Sequence, residues 1–215
     1  MLATTHVREQ RLSADQAYRT RLESTKCLLE ALTMFGIPKS FVDVGCGYGH
    51  LVKIASALMG AHTERECAGL DISVTDRVLP HQYTLEKYDL TVRLPTKREP
   101  LKYDMVLCLE VAEHLPASAS DTLCDTLRRL TAGDGVLLFS AAVPDQGGSG
   151  HINEQPQEYW IEKLHRTGMV IDLDDTRRLR VNWGDIAPSA WWYGNNVLVF
   201  RTKLAHESVI VHSID

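Results

Sequence analysis

The stretch Phe41-Val42-Asp43-Val44-Gly45-Cys46-Gly47-Tyr48-Gly49-His50 constrains the fold more than any other part of the chain. A short apolar run reads as a strand, and glycines at alternate positions end it. Glycine has no β-carbon, so the backbone can turn sharply there and let a ligand lie against the main chain. A helix is expected next, roughly Leu51 to Met59, presenting unpaired N–H groups and its positive dipole end. Strand, glycine turn and helix in this order make a site for a nucleotide-like ligand. The dinucleotide pattern G-x-G-x-x-G requires a third glycine at position 50, which is His50.

Around this unit the chain alternates helical and strand patterns. Ser13 with Gln16 suggests a capping box opening a helix that runs to Phe35, stopped by Gly36 and Pro38. Strands are expected at Phe41–Val44, Ala68–Leu70, near Thr84–Tyr88, at Met105–Leu109, Val136–Ala141, Met169–Leu173 and Asn196–Arg201. The continuous apolar runs at Met105 and Val136 suit central strands covered on both faces. Helices are expected over Ser118–Leu130, closed by Gly133, and Pro156–Arg166. The whole reads as a doubly wound, three-layer α/β sandwich on a Rossmann-like, seven-stranded, mostly parallel sheet. It forms one domain over residues 1–215. Residues 1–36 are its N-terminal helical segment, 37–140 a ligand-binding half and 141–215 a second half.

In an open α/β sheet, ligands bind beyond the carboxyl ends of the strands. Asp71 closes the second strand and Asp89 the third. The run D-x-G-x-G-x-G from Asp43 to Gly49, followed by these acids, resembles the class I S-adenosylmethionine-dependent methyltransferases. The resemblance implies that Gly45, Gly47 and Gly49 lie against the cofactor and that Asp43 helps hold its amino-acid end. It further implies that Asp71 takes the ribose hydroxyls, that Asp89 sits beside the adenine, and that Glu110 joins the cofactor set. The reversed last strand expected at Val197–Phe200 suits the same family. Glu110-Val111-Ala112-Glu113-His114-Leu115-Pro116 and Gly147-Gly148-Ser149-Gly150-His151-Ile152-Asn153-Glu154-Gln155 resemble a bacterial and phage-type subgroup, associated with sugar or small-molecule O-methylation.

Methyl transfer to a hydroxyl needs an aligned nucleophile and a place for its proton. Glu110, Glu113, His114 and His151 fall on the rim where the methyl group is expected, and they admit three readings. They can ligate Mg²⁺ or Mn²⁺, as the E-x-x-E-H sets of small-RNA 2′-O-methyltransferases do and as the related segment of ubiquinone-pathway enzymes suggests. His114 or His151 can instead act as a metal-free general base. Alternatively, Glu113 and His114 are a helix-start acid and a packed polar residue. Asn153, Glu154, Tyr159 and Trp160, with the aromatic cluster Trp183, Trp191, Trp192 and Tyr193, are candidates for an acceptor pocket. Tyr18 and Arg19 are candidates for closing over the cofactor's carboxylate.

The net charge of −5 over 215 residues argues against a general nucleic-acid surface, although Arg177, Arg178 and Arg180 cluster, as do Lys97 and Arg98. Cys27, Cys46, Cys67, Cys108 and Cys124 contain no C-x-x-C pair, and no apolar run approaches a membrane span. A cytoplasmic protein without membrane partners is expected. The favoured function is O-methylation of a small hydroxylated acceptor such as a sugar or secondary metabolite. Metal-dependent RNA 2′-O-methylation and a cofactor-binding but inactive partner subunit are the alternatives.

Overall fold

The computed structural model describes residues 14–60, 66–74, 77–79, 83–94 and 102–203. In chain order the elements are α1 (Ala14–Phe35), β1 (Phe41–Val44), α2 (His50–Met59), β2 (Cys67–Asp71), β3 (Arg77–Leu79), β4 (Tyr83–Lys87) and β5 (Tyr103–Leu109). There follow α3 (Ser120–Leu130), β6 (Thr131–Ser140), α4 (Gln157–Arg166), β7 (Met169–Ile171), α5 (Leu173–Ile186), α6 (Trp191–Asn196) and β8 (Leu198–Thr202). Short 3₁₀ turns occupy Ala112–His114, Ala117–Ala119 and Pro188–Ala190. The expected capping residue Ser13 lies outside the described residues.

The strands form one sheet in the order β3-β4-β2-β1-β5-β6-β8-β7. Strands β4, β2, β1, β5 and β6 run parallel, while β8 is antiparallel to both β6 and β7. All seven expected strands are present, and the last is reversed. The three-residue β3 adds an eighth, antiparallel to β4 at the edge. Chain order reverses between β1 and β5, which is where an open α/β sheet leaves a crevice at its carboxyl rim. Because β8 is reversed, its beginning meets that same rim: Leu198 pairs with Phe139, next to the end of β6.

Alternation along the strands separates two apolar layers. Phe41, Met105, Leu107 and Leu138 pack with Leu28, Val52, Leu179 and Trp183 from α1, α2 and α5. Val42, Val106, Leu137 and Phe139 point the other way, onto Leu123 and Leu127 of α3 and Trp160 and Leu164 of α4. The sheet is therefore covered on both faces, as the apolar central strands require.

Two local expectations are corrected. Gly133 does not close α3; Thr131 already begins β6, whose pairing with β5 shifts register between Tyr103 and Met105. Leu173 does not continue β7. It opens α5, because Asp172 caps that helix by accepting the Asp175 N–H at 3.0 Å. The stretch before the last strand is thus largely helical, in α5 and α6. Thr176, Leu179 and Trp183 bury one helical face at spacings of three and four.

Candidate active site

The three glycines after β1 all have positive φ, but they answer to different neighbours. A β-carbon at Gly45 would lie 2.3 Å from Val111 Cγ2, and one at Gly49 would lie 2.6 Å from Leu85 Cδ2. Those two positions are fixed by packing. At Gly47 (φ 53°) the same construction meets nothing within 4 Å, so only this glycine opens its α-carbon to free space. Gly47 N–H donates to Asp71 Oδ2 at 2.9 Å, and Ser73 N–H donates to Asp71 Oδ1 at 2.7 Å. Each oxygen keeps a further lone pair, and the carboxylate is held at the rim of the crevice.

Two hollows meet at Gly45. One, of about 500 Å³, is lined by Asp71, Tyr88, Asp89, Glu110, Val111 and His114 among others. The other, of about 280 Å³, takes in Thr20, Arg21 and Ser24 of α1 with Asp43, Gly47 and Tyr193. Together they have the size of a small-molecule site. Asp89 is fixed by Thr91, whose N–H and Oγ1 donate to its Oδ1 at 2.9 and 2.7 Å; these bonds hold its carboxyl below the usual range. Burial raises Asp43 from 3.8 to about 7, with the charge of Asp71 adding to the effect. Two acids this close, one of them buried, invite a cationic partner.

Beyond β5 the 3₁₀ turn Ala112–His114 carries Glu113 inward, fully buried. Neither of its buried carboxylate oxygens makes a full hydrogen bond, and burial, then the Glu110 charge, push its carboxyl well above the usual carboxylate range. Glu113, His114 and His151 each offer a ligand atom within 4.8 Å of the others. The Ile152 and Asn153 N–H groups bind the Glu113 carbonyl at 2.9 and 3.0 Å, which clips the loop after β6 onto this turn. His114 Nδ1 lies 3.1 Å from the Gly150 carbonyl and His151 Nδ1 lies 2.8 Å from Glu154 Oε1. Oxygen acceptors require an N–H at both Nδ1 atoms, so in the neutral form of each imidazole it is Nε2 that carries the lone pair. The loop glycines allow this approach: a β-carbon on Gly148 would lie 2.3 Å from the His151 ring.

Glu110 departs from the expected ligand set. It is not part of that trio; Gln146 Nε2 donates to its Oε2 at 3.3 Å and Asn196 Nδ2 to its Oε1 at 3.2 Å. Its backbone is left-handed (φ 55°), and its N–H donates to the Ser140 carbonyl.

Several other expectations are also redirected. Tyr18 points to solvent, and neither it nor Arg19 lines the hollows; Arg21 and Ser24 on the same helix do. Trp160 and Trp183 are core residues. Asn153 is buried, donating towards Ala112 O and Ser120 Oγ, and Tyr159 OH donates to Ser120 Oγ. Glu154 serves His151. Of the aromatic cluster, only Tyr193 reaches a hollow. The arginine cluster is occupied: Arg177 and Arg178 pair with Asp174 and Asp175, and Arg180 binds Val197 O and Gln157. Lys97 and Arg98 lie outside the described residues. The five cysteines are free and buried.

The fold has a crevice at the sheet's switch point, a glycine that opens onto it and acids after successive strands, and open α/β sheets bind ligands at such a rim. A family model described as "Methyltransferase domain" matches residues 16–190, and the chain belongs to this family, within the class I S-adenosylmethionine-dependent methyltransferases. It is 32% identical over 108 residues to a ubiquinone biosynthesis O-methyltransferase of Paraburkholderia phytofirmans, a match covering 47% of this chain and 44% of that protein. The chain thus spans less than half the length of this curated relative. Among solved structures it resembles magnesium protoporphyrin IX methyltransferase from Synechocystis PCC 6803 with bound S-adenosylmethionine (TM-score 0.52, 19% identity, 76% of this chain and 77% of that one). It also resembles the sugar N-methyltransferase KedS8 from Streptoalloteichus (TM-score 0.58, 13% identity, 94% and 98%). At these identities the likeness is one of fold. No helix among the described residues is long and apolar enough to cross a membrane.

Proposed function

We propose that this protein methylates a hydroxyl group of a small acceptor, using S-adenosylmethionine. The observation that carries the proposal is the open face of Gly47, held by Asp71 where the two hollows adjoin. On this reading Asp71 takes the ribose hydroxyls and Asp89 the adenine amino group. Asp43 faces the cofactor's ammonium, and Arg21 of α1 faces its carboxylate, which is a charge-assisted pairing. When bound, the cofactor supplies an electrophilic methyl group on a sulfonium. The protein contributes alignment, exclusion of water and a destination for the acceptor's proton.

His151 suits that last role. Glu154 holds its Nδ1–H and leaves the Nε2 lone pair to receive the proton, an arrangement that also stabilises the imidazolium formed. His114 is oriented in the same sense by Gly150. The donor set of Glu113, His114 and His151 also fits a divalent cation such as Mn²⁺, since an ion there would satisfy both orphaned oxygens of Glu113 and polarise a hydroxyl. O-methylation agrees with the name of the ubiquinone-pathway relative. A nucleic-acid acceptor gains no support from the arginine cluster of α5, which lines neither hollow.

The test is transfer of labelled methyl to a panel of nucleotide sugars, small phenols and an RNA oligonucleotide, with Mn²⁺ and with chelator. Transfer to a small hydroxylated compound that falls at least tenfold in His151→Ala is expected. Transfer confined to RNA, or turnover indifferent to His151, would contradict the reading.

A further inference from the structure

Among the described residues, Glu110 (φ 55°) and Asp145 (φ 68°) are the non-glycine positions with left-handed backbone. Such strain persists only where the surroundings over-determine it. Each residue stands in a set of hydrogen bonds, and the two sets are joined by the main chain between Asp145 and Gln146. Asn196 Nδ2, at the end of α6, donates to Glu110 Oε1 at 3.2 Å and to Gln146 Oε1 at 2.8 Å. Gln146 Nε2 closes the ring by donating to Glu110 Oε2 at 3.3 Å. One residue back, the Asp145 N–H donates to Glu154 Oε2 at 3.0 Å, and Glu154 Oε1 accepts from His151 Nδ1 at 2.8 Å. Together the two sets run from α6 over the end of β5 and along the loop after β6, ending on an imidazole.

The loop is clipped at its far end by the Ile152 and Asn153 N–H groups and closed at its start by the Gln146 N–H on the Val143 carbonyl at 3.1 Å, with a glycine-rich stretch between. Gly147, Gly148 and Gly150 all have positive φ, and glycine-rich backbone has the most conformations to lose on ordering. Val143 N–H, donating to Gln146 Oε1 at 3.4 Å, tightens the start of the same turn. Gln146 is thus gripped on both ends of its amide, and the turn it fixes sets the direction of the Asp145 N–H.

We propose that Glu110, Gln146 and Asn196 are positioning residues for His151. They set the left-handed turn at Asp145, which aims its N–H at Glu154; Glu154 then selects the Nδ1-protonated tautomer and leaves Nε2 as the nitrogen that carries the lone pair. This rests on the reading of His151 as the group that receives the acceptor's proton.

The experiment is long-range ¹H–¹⁵N correlation on the imidazoles of the full-length protein, comparing the parent with Gln146→Ala and Asn196→Ala. His50, on α2 and hydrogen-bonded to Thr25, serves as internal reference. The parent is expected to show His151 as the Nδ1–H tautomer. Each variant is expected to move the His151 signals towards a mixture of tautomers, leaving His50 and the affinity for S-adenosylhomocysteine within about threefold of the parent. A His151 tautomer unchanged in both variants would overturn the proposal. Asn196 is buried; if its variant fails to fold, Gln146→Ala on the half-buried loop decides alone. Absence of S-adenosylhomocysteine binding by the parent would instead strike the cofactor reading and leave the tautomer result standing.

Discussion

Three glycines that look equivalent on paper are expected to fail in different ways. Gly45→Ala and Gly49→Ala drive a methyl group into Val111 and Leu85, each at a backbone angle that L residues rarely adopt. Each should lower stability by about 2–4 kcal/mol in denaturant titration. Gly47→Ala meets open space and should cost only about 1 kcal/mol, from its φ alone, with its larger effect on cofactor affinity. Asp43 gives a prediction with a defined sign. Its folded value, raised by burial to about 7, exceeds its unfolded value of 3.8. The cost of burying its charge is therefore absent at acid pH, grows between those limits and is complete above neutrality. Asp43→Asn should leave apo stability nearly unchanged near pH 4. It should raise stability by up to ~4 kcal/mol at pH 8, read by urea titration, while weakening cofactor binding.

At the scale of elements, the strands were legible because apolar runs ending in Gly or Asp mark a covered parallel sheet. The miss at α5 has a physical cause. Met169 to Leu173 carries the β-branched and aliphatic residues of a strand, yet Asp172 captures the Asp175 N–H and turns the chain into a helix. Its other oxygen accepts from Arg201 Nε on β8 at 3.1 Å, in a pair where both side chains are mostly buried. Asp172→Ala removes cap and ion pair together. It should destabilise by about 2–4 kcal/mol and lower Tm by roughly 4–16 °C in calorimetry. The strand β3 went unseen because three residues at a sheet edge carry too little pattern to announce themselves.

Across the whole molecule, the sheet order turned scattered residues into one rim. That Asp71, Asp89, Glu113, His114 and His151 would stand on one rim was legible, because acids and imidazoles after strands are constrained in depth by the strand end itself. Arg21 and Ser24 were not, since which face of α1 meets the crevice depends on how the helix docks, and Tyr18 and Arg19 sit a fraction of a turn away. The fate of Glu110 was hidden for a similar reason: its amide partners, Gln146 and Asn196, come from distant parts of the chain. Arg21→Ala should weaken S-adenosylhomocysteine binding by about tenfold, in the range of a hydrogen bond to a charged group, without moving apo Tm by more than a degree or two.

Titration calorimetry of S-adenosylhomocysteine into the parent protein and into Gly47→Val reaches the central claim most directly, with circular dichroism as the check on folding. Saturable one-to-one binding by the parent and at least a hundredfold loss in a folded variant are expected. Equal affinity in both proteins, or none in the parent, would contradict the account.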